Sequence, residues 1–311
     1  MTAAAHRIDK LVILGVGLIG GSFALAQKAA GATGTIIGVG RGRINLEEAA
    51  NLGIVDRVIP LSGDWASELA TTDIVLLAAP VAQYPALLGA MAPHLGSHTI
   101  VTDAGSTKQD VIAAARATLG PALSRFVPAH PIAGTEKSGA AAAFATLFDE
   151  RNVVLTPLPE TDPLAVATVA AAWETCGATI RTLDAAAHDH VFAAVSHLPH
   201  LLAFALVDDL AARPDAEELF RFAASGFRDF TRIAASSAEM WRDIALANRD
   251  ALLAECAAFR AQLDRLAAML SAGDGAGLEA MFSAARTARR TWDSRRKAAG
   301  GRVPDDGPRE S

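Results

Sequence analysis

A chain of 311 residues is long for a single hydrophobic core, so two domains are expected. Apolar residues make up 51% and charged residues 20%, which excludes a disordered chain, and a net charge of −6 with no concentrated basic face speaks against nucleic acid as a partner. The two cysteines, Cys176 and Cys256, lack C-x-x-C spacing, so neither a disulfide framework nor a zinc site is expected, which fits a reducing cytoplasm.

The first element is an unbroken apolar run, Leu11, Val12, Ile13 and Leu14, suited to a strand buried on both faces of a parallel sheet. Gly15, Gly17 and Gly20 follow with G-x-G-x-x-G spacing, with Leu18 and Ile19 between them, and lead into an alanine-rich helix over residues 23–30. In a dinucleotide-binding unit the first glycine makes the tight turn, the second lets backbone approach the pyrophosphate, and the third lets helix pack on strand. The helix N-terminus then offers amides and a positive dipole to that pyrophosphate. Lys10 and the apolar residues up to Ala26 also read as a secretory signal, but the glycine spacing and an immediate second strand argue against it. The run is too short to span a bilayer, and no membrane partner is expected.

Residues 35–39 (TIIGV) form the second strand. A carboxylate about 20 positions after the glycine loop holds the ribose 2′-OH in NAD sites. Here that place holds Gly40, followed by Arg41 and Arg43, so NADP is favoured over NAD, with a guanidinium available to a 2′-phosphate. Plain surface charge is the other reading of both arginines. A helix over 45–52, an edge strand over 57–60 and a buried strand over 73–79 follow, the last closed by Ala79 and Pro80 where a cofactor ring would lie. Residues 84–91 are helical and 99–102 extended. The next strand end, Asp103 to Lys108, feeds a helix over 109–118, with Ser106 and Thr107 as ligand contacts, helix caps or both. A strand over 126–129 ends at His130-Pro131, where a histidine can serve acid–base chemistry or simply be a satisfied structural side chain. Strands over 152–156 and 178–181 flank a helix over 163–176, and the character changes after Asp184.

From 185 to 296 every segment has helical period. In Ser196-His197-Leu198-Pro199-His200 the proline bends a helix interior at a cost of about 3 kcal/mol or more. His197 and His200, three apart, share a face. His188 and His190 raise the question of a metal, but their spacing splits across a helix and no carboxylate set completes a site, so none is expected. Residues 225–232 (SGFRDFTR) interrupt the helices; Arg232 offers a planar fork to a carboxylate, a surface ion pair being the alternative. Leu252, Cys256, Phe259, Leu263, Leu266 and Leu270 form an apolar seam through which a helical domain could pair with its copy. Residues 297–311 read as a disordered tail. The expected domains are 1–184, dinucleotide-binding, and 185–296, helical, for substrate and dimerisation.

With GVGLIGGS, DAGSTK, HPIAGTEKSG, AAHDHVFAAVSHLPH, GFRDFTRIA and MWRDI in order from about residue 10 to 296, the chain resembles the prephenate/arogenate (cyclohexadienyl) dehydrogenases of tyrosine biosynthesis. The resemblance implies an α/β fold, a Rossmann-like doubly wound, mostly parallel sheet followed by an all-α dimerisation domain, in a cytoplasmic homodimer. It implies oxidative decarboxylation: hydride leaves the hydroxyl-bearing ring carbon, carbon dioxide leaves the opposite one, and the ring becomes aromatic. His130 would then help remove the hydroxyl proton, with Ser106 orienting it beside the nicotinamide. Arg232 would bind a substrate carboxylate, His197 and His200 would line the pocket, and Thr135, Glu136 and Trp241 would lie at its edge, with Ser196 and Asp229 as supports. No chorismate mutase domain is expected before the glycine loop and no regulatory domain after 296, so feedback by tyrosine would act at the active site. A β-hydroxyacid dehydrogenase or imine reductase would leave HPIAGTE and SHLPH unexplained, and a non-catalytic NADP sensor would have no use for His130, Ser106 and Arg232.

Overall fold

The computed structural model describes residues 7–298. Six strands, β1 (Ile8–Leu14), β2 (Thr33–Gly40), β3 (Arg57–Pro60), β4 (Ile74–Leu77), β5 (Ile100–Asp103) and β6 (Phe126–Val127), make one sheet in the order β3-β2-β1-β4-β5-β6. Every pairing in it is parallel. The apolar run in β1 has the cause the sequence suggested. Leu11 and Ile13 enter a core on one face, with Ile36, Ile74 and Leu76, while Val12 and Leu14 enter a second core on the other, with Ile37, Val75 and Leu77. Since successive strand side chains point to opposite faces, a strand covered on both sides must be apolar throughout. Helices α1 (Leu18–Ala29), α2 (Arg43–Asn51), α3 (Tyr84–Met91) and α4 (Gln109–Thr118) supply the connections that parallel pairing demands.

The expected strand over 126–129 is in fact two strands. Pro128 has no N–H to give a ladder, so β6 stops at Val127 and β7 (Ala129–Pro131) begins a second sheet. There β7 pairs antiparallel with β8 (Asn152–Leu155), which pairs in parallel with β9 (Thr179–Thr182), across helix α5 (Pro163–Thr175). His130 therefore lies opposite Val154 in the small sheet, just beyond the edge of the large one.

Everything described after Asp184 is helix or turn: α6 (Ala185–Phe192), α7 (Leu198–Ala211), α8 (Ala216–Arg221), α9 (Ser225–Thr231), α10 (Ala238–Ala247), α11 (Arg249–Ser271) and α12 (Gly275–Ala298). Pro199 stands in the first turn of α7 and is preceded by a π turn, Ala193–His197. The wider turn takes up the hydrogen bond and the space that the proline ring denies to an α-helix. The 225–232 segment is itself helical up to Thr231, with Arg232 opening a 3₁₀ turn, where the glycine and aromatics had suggested a break. By length and composition the helical run Ala185–Ala211 is apolar enough to cross a membrane.

The chain divides into two compact units, residues 1–252 and 253–311. In the second, α11 and α12 are joined by a turn at Gly273 in which the Asp274 side chain accepts from the Gly277 amide at 2.8 Å. Residues 297 and 298 continue α12, and 299–311, the rest of the expected tail, lie outside the described residues.

Candidate functional site

The large sheet puts three strand ends level. Leu14 pairs with Leu77, and Leu77 with Asp103, so the segments that follow β1, β4 and β5 emerge side by side. Gly15 has a φ of +104°, and a Cβ on it would lie 2.5 Å from the Ala78 carbonyl oxygen, so only glycine lets the two strand ends approach. That approach brings the Ala79 amide against the glycine loop, with Pro80 next in the chain. A Cβ on Gly20 would collide with the Gly15 carbonyl oxygen, whereas one on Gly17 would meet nothing within 4 Å. The first and third glycines thus serve packing, and the second faces open space.

Gly17 caps α1 with no side-chain bond, leaving the first-turn amides of Leu18, Ile19 and Gly20 without intrahelical partners. An uncapped helix start over an open glycine suits a pyrophosphate. Asn45 braces this loop: its Nδ2 donates to the Val16 carbonyl at 2.7 Å, and its Oδ1 accepts from the Ala140 amide at 2.8 Å. At the end of β2, Arg41, Leu61 and Ser62 line an open cleft of about 400 Å³. Arg41 meets Glu239 there at 3.3 Å, while Arg43 pairs with Glu47 along its own helix.

Beyond β5 a buried carboxylate ties two catalytic candidates together. Asp103 accepts from the Gly105 amide at 2.8 Å and the Ala129 amide at 2.9 Å, the residues next to Ser106 and His130. Its counter-ion is Lys108, 2.5 Å away, with both side chains fully buried. Burial pushes the Asp103 carboxyl upward, against the pull of the Lys108 ammonium.

His130 is held by residues from the helical half. Its Nδ1 lies 2.8 Å from His188 Nε2, and His188 Nδ1 lies 2.8 Å from Asp189 Oδ1. Asp189 also accepts from the Lys108 and Gln109 amides at 2.8 and 2.9 Å, so a side chain of α6 caps the start of α4. Burial alone would push the Asp189 carboxyl up, but His188 and the two amides outweigh it and leave it below the usual range. Burial, then the neighbouring His188 and Lys108, pushes His130 well below the ordinary imidazole value, so it is uncharged at neutral pH.

His197 is buried, its Nδ1 3.1 Å from Asn248 Nδ2 and its Nε2 without a hydrogen-bond partner. Burial lowers its pKa to about 4. His200 stacks on Trp241 with ring centroids 3.6 Å apart and has its Nδ1 2.9 Å from the Ser196 carbonyl. His197 lies edge-on to the same indole at 6.1 Å, so the face shared by the two histidines is turned to Trp241, whose own Nε1 is also unpaired. Arg232 pairs with Glu136 at 3.1 Å and is near enough to His200 to depress its pKa further, burial being the larger cause.

Not every expected residue joins this cluster. Thr135 is exposed and accepts from the Lys137 amide, and Asp229 pairs with its neighbour Arg228 on an exposed helix face. Burial holds His197 and His200 below their ordinary values, which leaves the positive charge beside them to Arg232. Ser106 makes no hydrogen bond to His130 among the described residues; His188 fills that place. The roles of His188, Asp189, Asp103, Lys108, Asn45 and Asn248 carry no local signal in the sequence, and His190, the metal-ligand candidate beside His188, is exposed.

A model of the prephenate dehydrogenase nucleotide-binding domain matches residues 23–182, and a model of the prephenate dehydrogenase dimerization domain matches 184–284. A cyclohexadienyl dehydrogenase of Zymomonas mobilis is 37% identical over 291 residues, covering 93% of this chain and 96% of that one. The crystal structure of prephenate dehydrogenase from Aquifex aeolicus with hydroxyphenyl propionate and NAD+ superposes with a TM-score of 0.84 at 33% identity, over 94% of this chain and 99% of that one. Synechocystis arogenate dehydrogenase gives a TM-score of 0.74 at 31% identity, over 91% and 99% of the two chains.

Proposed function

This chain belongs to the prephenate dehydrogenase family, and we propose that it oxidatively decarboxylates prephenate, arogenate or both, with NADP preferred to NAD. The observation that carries the reading is the buried His130 tied through Asp103 to the Ser106 strand end, in a sheet whose β1 end leads into a helix start fit for a pyrophosphate. We carry forward 1–184 as the dinucleotide-binding domain and 185–296 as the helical domain, a division close to that of the two family matches.

Gly15, Gly17, Leu18, Ile19 and Gly20, with Ala79 and Pro80, would hold a nicotinamide dinucleotide, which when bound would supply the hydride acceptor. The protein's own work is placement and proton transfer. His130 takes the proton of the ring hydroxyl while the carbinol C–H bond gives up its hydride. The ring carboxylate then leaves as carbon dioxide, its bonding pair completes the aromatic ring, and His130 returns its proton to the phenolic oxygen. Ser106 stands beside this transfer. Arg232 holds a substrate carboxylate in its planar fork, taking it in place of Glu136. His197, His200, Ser196 and Trp241 line the pocket, with exposed Thr135 at its outer edge, and the buried His197 Nε2 and Trp241 Nε1, which lack partners in the chain, are the polar atoms a substrate would satisfy.

The preference for NADP rests on Gly40 at the end of β2 and on Arg41 in the adjoining cleft, where a 2′-phosphate meets a guanidinium and no carboxylate belonging to the strand end. A homodimer is part of the reading: Leu253, Leu263, Leu270 and Phe282 on α11 and α12 are 48–67% exposed, an apolar surface for a second copy to cover. With two unpaired cysteines, one of them buried, the chain suits the cytoplasm. The test is a grid of prephenate or arogenate against NAD or NADP, followed by nicotinamide absorbance. Turnover of at least one substrate, faster with NADP, is the expected result; no reduction in any cell of the grid removes the assignment.

A further inference from the structure

Two hydrogen bonds fix more than the position of His130. An ionised carboxylate can only accept, so Asp189 Oδ1, 2.8 Å from His188 Nδ1, requires the proton to be on that nitrogen. Asp189 is committed to this role, since its oxygens also take the Lys108 and Gln109 amides and its main-chain carbonyl takes Asn248 Nδ2 at 2.8 Å. His188 is wholly buried, and its burial favours the neutral ring, so its Nε2 carries a bare lone pair. That lone pair faces His130 Nδ1 at 2.8 Å, and a hydrogen bond there needs the proton on His130. A neutral His130 then has nothing on Nε2.

We propose that His188 and Asp189 are a positioning pair for His130, holding its imidazole as the Nδ1–H tautomer and so making Nε2 the atom that takes up the substrate proton. The assignment rests on His130 being the proton acceptor. Which ring nitrogen is protonated is set by the hydrogen bond the other makes, and here that bond comes from a side chain 58 residues away. The ring plane is fixed as well: Phe192 packs edge-on against His130 at 4.8 Å and, at a tilt, against His188 at 4.5 Å. When a proton arrives at Nε2, the positive ring donates through Nδ1 to His188, whose own N–H points at a carboxylate. Asp189 thus stabilises the charge without touching the substrate. The other ionisable groups around the pair are Lys108 and Asp103 from the β5–α4 junction and His197 from the π turn.

The tautomer can be read without turnover. Long-range ¹H–¹⁵N correlation spectra of the full chain, labelled at histidine and free of substrate, should show His130 protonated at Nδ1 and bare at Nε2, with His130→Asn identifying its signals. His188→Leu removes the acceptor; the tautomer should become mixed or reversed, and kcat should fall by about 10–10³-fold with the KM for the dinucleotide unchanged, because a wrong tautomer removes the base. His188→Gln, whose amide oxygen can accept the same hydrogen, should restore the Nδ1–H form and most of the rate. A native His130 protonated at Nε2, or a His188→Leu protein that keeps both the Nδ1–H form and full kcat, overturns the proposal. Should the spectra agree while neither prephenate nor arogenate is turned over, the functional reading fails and the positioning pair stands.

Discussion

The Lys108 ammonium lies 2.5 Å from the Asp103 carboxylate, and neither side chain reaches solvent. Through the Gly105 and Ala129 amides that carboxylate also sets the spacing of the Ser106 loop and the His130 strand. Removing one member of a buried ion pair leaves the other uncompensated, at a cost of about 3–5 kcal/mol. Lys108→Met should therefore lower the free energy of unfolding by about that amount, read from urea midpoints, and the Asp103→Asn, Lys108→Met double variant should recover part of it. A loss below about 1 kcal/mol would mean that the backbone bonds alone hold the two loops.

His130→Asn keeps a polar side chain of similar reach and removes the base. The expected outcome is a fall in kcat of roughly 10²–10⁴-fold with dinucleotide affinity retained. Steady-state kinetics beside fluorescence titration of the cofactor separate the two quantities, and near-native turnover would take His130 out of the reaction.

The parallel sheet was legible because its strands are apolar on both faces, and the glycine loop because each glycine answers a local steric demand, as Gly15 does against Ala78. Pro128 was readable as a strand breaker, yet the step from one sheet to another depends on pairing with β8, a distant segment. The Asp189–His188–His130 chain was hidden for a similar reason. His188 and Asp189 are neighbours in sequence, but their meaning comes from a strand end and a helix start some 58 and 81 residues away. Local spacing could show that His188 and His190 face apart; it could not show what His188 faces. Arg232 had two readings from sequence, ion pair and carboxylate site, and its contact with Glu136 displays the first without removing the second.

Arg232→Ala should act mainly through substrate. Its guanidinium is half exposed and paired with Glu136 at 3.1 Å, so the fold has little to lose, while a dianion loses its one charged partner in this cluster. The KM for prephenate or arogenate should rise by about 10–100-fold, as for a charge-assisted bond of roughly 1.5–3 kcal/mol, with the KM for the dinucleotide unchanged. Glu136→Gln should move the other way and lower the substrate KM, since it removes the carboxylate that competes for the same fork. An unchanged KM in the alanine variant would remove Arg232 from the pocket.

Arg41→Ala should weaken NADP more than NAD, by about tenfold, the worth of one charge-assisted contact to phosphate at an exposed site. Glu239, which shares the Arg41 guanidinium at 3.3 Å, supplies the control. Freeing the guanidinium with Glu239→Gln should improve NADP binding and leave NAD nearly unchanged. Equal losses for both cofactors in Arg41→Ala would clear that residue of any part in the choice.

The buried histidines make stability depend on pH, and the sign follows from their environment. Burial lowers the pKa of His197 from an ordinary 6.5 to about 4, and shifts His130, His188 and His200 in the same direction. Between those values the unfolded chain binds a proton that the folded chain refuses, so stability rises with pH across the window. The contribution is present in full above the unfolded pKa and is lost as pH falls from about 6.5 towards 4. For His197 alone, whose ring is almost wholly buried, the loss between pH 7 and pH 5 is on the order of 2 kcal/mol. Asp189, a buried carboxylate held below its ordinary range, adds its share only at lower pH, whereas Asp103, pushed up by burial, works in the opposite direction, so the comparison of the native chain with a His197 variant isolates the imidazole. Urea midpoints at pH 7, 6 and 5 should therefore fall steadily in the native chain. In His197→Gln, which keeps an amide beside Asn248 but cannot take up a proton, the fall should be shallower by about one histidine's worth. Parallel slopes for the two proteins would mean that His197 is solvated and charges freely in the folded state, against its burial beside Trp241.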